Sequence, residues 1–544
     1  MKFCQFDIVG ALFLNRDAFL SLIIIGFLGI FTIERERGVM NQFLTSARLA
    51  FPIALMVATT IYTSVSFADH EDAIPGEIFG FTLAAGDYDG DGSEDIAVGG
   101  YNTVDILYFK AAPGSTKGKI RPIGSSLSRF GLYVVSGNFN GDKYDDLALF
   151  ENNAHAGRVY IMEGSSSGLP TSQTGAALVL TNGTFGQPVR QGEETGDFFG
   201  RAMATGDFDN DGYDDLAIGV PFSPGLSGNF VRSGIVNVIY GWSTGLNTFR
   251  RQSFDQDSTG IPGAAESGDA FGSTLATGDF NNDGYDDLVI GVPSEAVNGH
   301  AAAGAVNIIY GGSSGLRWSN GPDAQIWHQD SPSIEGATEP SDRFGAGLAT
   351  GDFDDDGYDD LAISASGEGI GSGIANGSVN IIYGSSNGLT SAGDQLFHQG
   401  SSGVGGAVEN GEAWGWKLAA GDINSDGVDD LIAGSPYDHA TTGGIVSGTF
   451  NVLFGVKDNG LTGTGSQFFH ENISGVAGTS KDLDRYGFSV AIGYHITGIP
   501  YVAIGSPSSK NGATLDDTLV HIFYTTKNVG ISTTSDFQIT LDDI

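Results

Sequence analysis

Nine-residue phrases dense in carboxylates recur along the chain, and their spacing suits the capture of a hard cation. DFDNDGYDD runs from Asp207, DYDGDGSED from Asp87, DFNNDGYDD from Asp279, DFDDDGYDD from Asp352 and DINSDGVDD from Asp422. Each phrase puts side-chain oxygens at positions 1, 3, 5 and 9, and Gly at position 6, where a positive φ allows a sharp turn. The expected side-chain ligands are Asp87, Asp89, Asp91 and Asp95, then Asp207, Asp209, Asp211 and Asp215. They continue with Asp279, Asn281, Asp283 and Asp287, with Asp352, Asp354, Asp356 and Asp360, and with Asp422, Asn424, Asp426 and Asp430. The seventh residue (Tyr213, Tyr285, Tyr358 and Val428 in the last four loops) would add its backbone carbonyl. All-oxygen ligands on a flexible loop favour Ca2+ over Mg2+, which demands an octahedron and keeps its waters, and a set without Cys or His argues against Zn2+. Five full loops imply about five structural Ca2+ ions.

A sixth phrase, NFNGDKYDD, offers Asn138, Asn140, Asp142 and Asp146, and places Lys143 where the turn glycine belongs. It has lost two carboxylates and gained a cation, so weak binding or none is expected. A seventh segment, GYHITGIPYVAIGSP from Gly493, has no carboxylate and is expected to hold no metal. Near-identical sites in successive repeats point to a structural role, because a catalytic metal keeps an open position beside a general base.

The elements that carry these loops are themselves repeated. About eight residues before each loop stands an aromatic-Gly pair: Phe79-Gly80, Phe130-Gly131, Phe199-Gly200, Phe271-Gly272, Phe344-Gly345, Trp414-Gly415 and Tyr486-Gly487. The spacing is about 70 residues after a first interval of about 50. In the unit from Phe271, FGSTLATGDF reads as a strand entering the loop and YDDLVIGV as a strand leaving it. GAVNIIY and DAQIWHQ are the third and fourth strands, all short, β-branched or aromatic, and bounded by Gly, Asn, Asp and Ser. Four antiparallel strands in seven units describe an all-β, seven-bladed β-propeller whose metal loops are hairpins joining the first two strands of a blade. The loop is not an EF-hand. Its twelfth position in the third unit is Ile218, inside a strand, which leaves the ninth residue as the closing bidentate ligand.

FG…GDFDNDGYDDLAIGVP resembles the FG-GAP repeat of the integrin alpha-chain N-terminal propeller. The same repeat occurs in many bacterial surface proteins and beside the catalytic domain of a glycosylphosphatidylinositol-specific phospholipase. GVP at 219–221 and 291–293, and GSP at 434–436 and 505–507, stand where the family has Gly-Ala-Pro. The resemblance spans residues 79–544 and implies adhesion or matrix contact. The repeats run to the C-terminus, so neither the leg domains nor the membrane span of an integrin alpha chain is expected, nor an inserted I-type domain. Asp536–Leu541, DFQITL, aligns with the fourth strand of an earlier unit, so the last blade is expected to be completed by the C-terminal segment itself.

The chain has 65 acids against 25 bases, a formal charge of −40, and 27 of the acids lie in the six loop phrases. The charge is largely a ligand set, and it argues against nucleic acid, which needs a basic surface. Gly is abundant at 84 residues, but it recurs at fixed repeat positions. The single cysteine, Cys4, excludes a disulfide framework. Residues 40–68 read as a secretory signal, with Arg48, an apolar run from Leu49 to Ile61 and a small-x-small site ending at Ala68. Residues 1–39 read as an upstream over-extension. The alternative is a membrane anchor at 18–33, the one route to membrane contact. Either way the propeller, 69–544, is expected outside the cytoplasm.

GxSxG occurs around Ser166, Ser243, Ser313 and Ser386, always at the turn after the third strand, without the strand-turn-helix setting a hydrolase elbow needs. His328, His398 and His470 occupy one equivalent position in three units and are not expected to converge. Sequons stand at Asn182, Asn376 and Asn472. Strand alternation puts the metal loops and the GxSxG turns on one face, and the longer, more varied loops on the other. Phe222, Phe230, Arg232, Tyr437 and His439 on those varied loops are the candidate contacts for an extracellular protein or glycan. The competing readings are an enzyme working in the propeller channel, of the polysaccharide-lyase or phospholipase kind, and a structural subunit of a surface assembly.

Overall fold

The strands leaving the metal loops are nearly unbroken apolar runs, DLAIGV, DLVIGV and DLAISA among them, and every residue in these three is buried. A strand covered on both faces must read this way, whereas a half-exposed strand would alternate. In the computed structural model these strands lie in the interior of four-stranded antiparallel sheets. The structure describes residues 79–100, 102–109, 116–120, 130–152, 157–187, 198–228, 231–317, 322–371, 373–439, 444–476, 480–481, 483–507, 519–533 and 537–540. The readings made for residues 1–78, and the candidate contact Phe230, lie outside them.

Seven sheets follow one another along the chain, and each is one blade of a β-propeller. Blade 4 shows the pattern: strands Thr274–Gly278, Asp287–Val292, Ala305–Ile309 and Gln325–Trp327 pair in sequence order, each antiparallel to the last. Blade 7 is completed by its own end of the chain, since Phe537–Thr540 pairs with Leu519–Thr526 alongside the short strand Gly530–Ile531. Blade 1 is likewise built from consecutive strands. Among the described residues blades 7 and 1 therefore share no sheet. They meet by packing, with Phe79, Ile96 and Val98 against Tyr501, Ala503 and Ile522.

The hydrophobic core is divided among the seven blade junctions. Leu288 and Ile290 point toward blade 3, against Phe208 and Val236, while their neighbour Val289 packs with Phe344 and Leu361 of blade 5. Successive residues of a strand point to opposite faces, so one strand serves two junctions. The aromatic-Gly signature is a junction device too. Phe271 is fully buried, and its N–H donates to Ser233 of blade 3 at 2.9 Å. Gly272 follows at φ +83°, and a Cβ there would stand 2.8 Å from Val236 Cγ2, while one on Gly219 would stand 2.1 Å from the Gly272 carbonyl oxygen. The Gly of FG and the Gly of GVP thus let two blades touch backbone to backbone.

Candidate functional site

Each full loop is organised around the carboxylate at position 1. In the third blade the N–H groups of Asp211 and Gly212 donate to the two oxygens of Asp207 at 3.0 and 2.8 Å. The same pair of bonds recurs around Asp87, Asp279, Asp352 and Asp422, at 2.8–3.1 Å. Gly92, Gly212, Gly284, Gly357 and Gly427 at position 6 all have φ between +85° and +100°. Position 4 is also left-handed, with Asn210, Asn282, Asp355 and Ser425 at φ 51–57°. Short polar residues tolerate that region best, which accounts for the Gly, Asn, Asp or Ser always found there. The sequence thus carries the turn signal at position 4 as well as at position 6.

The ninth residue is buried and anchors the loop floor. Asp215 accepts N–H bonds from Phe208 at 3.0 Å and from Gly241 at 2.8 Å, and Asp287 and Asp360 are held the same way. Burial, with neighbouring carboxylates adding to it, pushes Asp215 up to about 9 and Asp95, Asp360 and Asp430 up to about 8. Position 3 carries the test of whether an ion fits. The Oδ1 atoms of Asn281, Asp354 and Asn424 are buried without a hydrogen-bond partner, in three successive blades. A buried oxygen facing carboxylates is costly to leave unsatisfied, and a divalent cation satisfies both. Ligand oxygens of Asp87, Asp89 and Asp95, of Asp207, Asp209 and Asp215, and of Asp352, Asp354 and Asp356 lie within 4.8 Å of one another. These residues fit a hard divalent cation. In the third loop Arg250 reaches into the same cluster, pairing with Asp209 and with Asp211 at 3.1 Å. Tyr213, at position 7 there, stacks on Trp242 with ring centroids 6.5 Å apart.

The second loop departs where its sequence does. Asn138 turns its amide N–H onto the Asp142 carbonyl at 2.6 Å, and Lys143 does not take the left-handed conformation. The Lys143 ammonium bonds the Gly90 carbonyl of the first loop at 3.0 Å. In blade 7, Tyr494 and Tyr501 fall at the positions of the first and ninth ligands, pairing in the sheet with Pro500 and Gly493.

The sequence reading missed the acid at position 8. Asp286 of blade 4 accepts the Asp207 N–H of blade 3 at 2.8 Å, and its own N–H returns to the Asp207 carbonyl at 3.2 Å. The reciprocal pair recurs for Asp145 on Asp87, Asp214 on Asn138, Asp359 on Asp279 and Asp429 on Asp352. Glu94 makes it with Tyr494, across the junction of blades 7 and 1. In blades 1 to 5 the first residue of the loop is therefore gripped by the next blade around the ring. Blade 7 has Pro500 at this position, with neither acid nor N–H, and between blades 6 and 7 the backbone of Asp422 instead meets the Tyr494 hydroxyl.

The GxSxG segments are tight turns: Gly245 donates to Trp242, Gly315 to Gly312 and Gly388 to Ser385 at 2.6–2.8 Å. The following Leu316 and Leu389 N–H groups donate to Tyr240 and Tyr310 of the preceding blade, so these turns too are junction contacts. His398 and His470 each accept an N–H two residues on, a local role in separate blades. Of the three sequon asparagines, Asn182 and Asn376 are buried and Asn472 is exposed. On the face away from the metal loops, Phe222 lies between the guanidinium groups of Arg201 and Arg232 at 5.1 and 4.8 Å. Tyr437, its counterpart in blade 6, lies edge-on to Trp416. His439 pairs with Glu409 at 2.6 Å.

The FG-GAP repeat profile matches residues 199–236, 271–308, 344–383 and 414–447. Phosphatidylinositol-glycan-specific phospholipase D of Rattus norvegicus is 32% identical over 244 residues, 44% of this chain and 26% of that protein. Integrin alpha-PS5 of Drosophila melanogaster is 32% identical over 225 residues, 40% of this chain and 20% of that protein, and integrin alpha-3 of Mus musculus is 31% identical over 170 residues, 31% and 14%. The chain thus spans between about a seventh and a quarter of the length of these relatives. A solved Agrocybe aegerita lectin described as recognising non-reducing terminal N-acetylglucosamine superposes at a TM-score of 0.44 with 11% identity, over 86% of this chain and 90% of that one, too low to carry an argument. Blades 3 to 6 of this seven-bladed propeller thus carry matched FG-GAP repeats, and the chain is similar in sequence to integrin alpha chains.

Proposed function

We propose that the chain is an extracytoplasmic, calcium-stabilised binding module, without catalysis of its own, that engages a protein or glycan through the face away from its metal loops. The observation that carries this reading is the division of labour between the two faces. One face repeats the same acidic hairpin with orphaned ligand oxygens at Asn281, Asp354 and Asn424, while the other carries loops that differ from blade to blade and present aromatic–cation stacks at Phe222 and Tyr437. Ca2+ bound by positions 1, 3, 5 and 9 would neutralise the carboxylates and cross-link each hairpin. Binding residues concentrate on variable loops over rigid scaffolds. The similarity to the phospholipase of Rattus norvegicus covers 26% of that protein, so its activity is not carried over.

A glycan and matrix-protein array probed with and without calcium tests the reading. The expected result is ligand capture that is lost on chelation and reduced by Phe222→Ala. Turnover of a polysaccharide or phospholipid by the purified chain would replace the reading with an enzymatic one. The export signal at 40–68 predicts a mature N-terminus near Asp69, and N-terminal sequencing that finds residues 18–33 retained would establish the anchor instead.

A further inference from the structure

Cations are scarce in this chain, 25 against 65 acids, yet two stand without a carboxylate partner at the inner rim of blades 6 and 7. Arg485 is 8% exposed, and its Nε is buried with no hydrogen-bond partner. Its guanidinium lies over the ring of Tyr437 at 5.6 Å and faces Phe488 at 5.9 Å. No ion pair joins it to an acid among the described residues. Lys417 lies on the first strand of blade 6, the innermost of the ring, where its side chain is exposed yet hemmed in by protein, and desolvation lowers its pKa. It too makes no ion pair among the described residues.

Beside Arg485 runs a continuous aromatic surface, and Lys417 follows one of its residues, Trp416, in the chain. Trp416 is half-buried, edge-on to Tyr437 at 5.5 Å and tilted against Phe488 at 6.0 Å, and Phe488 contacts Phe81 of blade 1 at 5.0 Å. At the positions equivalent to Trp416, blades 7 and 1 carry Phe488 and Phe81, whereas blades 2 to 5 carry Leu132, Arg201, Ser273 and Ala346, so the aromatic rings are confined to one side of the rim. Aromatic faces hold a guanidinium in place, but they do not neutralise it, and a desolvated cation without a counter-ion is complementary to an anion.

We propose that Trp416, Lys417, Tyr437, Arg485 and Phe488 form a binding site for an acidic glycan, a sugar ring bearing a carboxylate or sulfate. This rests on the binding-module reading and names its ligand class. The aliphatic C–H face of a pyranose packs on an indole or phenol face, and its acidic group pairs with the guanidinium and ammonium beside that face. One residue of an acidic polysaccharide carries both features at the separation of a single ring. An acidic peptide carries the charge without the flat apolar face.

Calorimetry on the calcium-loaded chain tests this with a hyaluronan hexasaccharide for the carboxylate, a heparin-derived hexasaccharide for the sulfate, and chitohexaose as the neutral control. One or both acidic probes should bind, more weakly as ionic strength rises, and chitohexaose should not. Lys417→Gln, at an exposed side chain, and Arg485→Met, which removes a buried charge, should each weaken binding about tenfold or more, while Lys457→Gln on the metal-loop face should leave it unchanged. Chitohexaose or a hexaglutamate peptide binding as tightly as the acidic sugars would overturn the assignment, as would full affinity in both variants. A matrix protein captured through the Phe222 face with no acidic-sugar binding would overturn the site and leave the module reading standing. No ligand of any class would remove both.

Discussion

Asp215 and Asp146 hold the same ninth position, and each accepts two backbone N–H bonds, Asp146 from Phe139 at 3.3 Å and Gly164 at 2.9 Å. Truncating either to Ala leaves buried donors unpaired, and each loss should cost about 1–3 kcal/mol of stability. Calcium separates the two. Asp215→Ala should remove one bound ion. Asp146→Ala should leave the stoichiometry unchanged, because Asn138 and Lys143 have already spoiled the second loop. Titration of the calcium-stripped protein decides it; equal calcium loss in both variants would show the second loop to be a working site. Protons should compete with the ions. Without calcium, Asp215 titrates near 9 and Asp95, Asp360 and Asp430 near 8, against an ordinary 3.8. The folded stripped chain therefore holds protons that the unfolded chain releases, so this contribution is complete below about pH 4 and is lost as pH rises toward 8–9. The stripped protein should melt higher at mildly acidic pH than at pH above neutrality. The rise in melting temperature on adding calcium should be larger at the higher pH, because the ion needs ionised ligands. A calcium effect independent of pH would contradict this.

A blade is an incomplete element. In blades 1 to 5 the residue at loop position 1 is gripped from the next blade by the acid at position 8, so a loop's geometry depends on a strand about 60–80 residues away. Asp286→Ala, outside every ligand set, should lower stability by about 1–3 kcal/mol through the unpaired Asp207 N–H. It should also weaken calcium in blade 3 without removing a ligand. Asp286→Asn keeps an acceptor oxygen and should recover most of the loss. Thermal melts with calcium titration compare the two, and a full effect in Asp286→Asn would mean that charge rather than the hydrogen bond matters.

Among the described residues the ring closes between blades 7 and 1 by packing and by hydrogen bonds, the Glu94–Tyr494 pair and Ser489 and Tyr501 on the Gly80 and Glu94 carbonyls, with no shared sheet. No covalent link crosses that seam among the described residues, so its stability depends on the junctions around it. Ions that bind only the folded state stabilise it by mass action, about 4 kcal/mol per site at a thousandfold excess over Kd. Chelation should lower the melting temperature by about 10 °C or more in one cooperative step. A melting temperature indifferent to chelator would exclude structural calcium.

Residue order alone determined the seven units, the spacing of the acidic loops, the turn glycine and the completion of the last blade by Asp536–Leu541, whose described part, Phe537–Thr540, pairs as expected. These are properties of contiguous residues: oxygen spacing along a turn, the positive φ of one glycine, a strand's apolar run. Asp286 and Asp287 show where that legibility stops. They are identical neighbours in the sequence, yet Asp287 anchors its own loop while Asp286 grips the blade before it, because successive strand residues point to opposite sides. Likewise Tyr437 and Arg485 meet only because blades 6 and 7 pack side by side, and the buried Asn376 bonds the Glu409 carbonyl of the segment that leads into blade 6. Such contacts belong to the packing of one blade on the next, which no local pattern records.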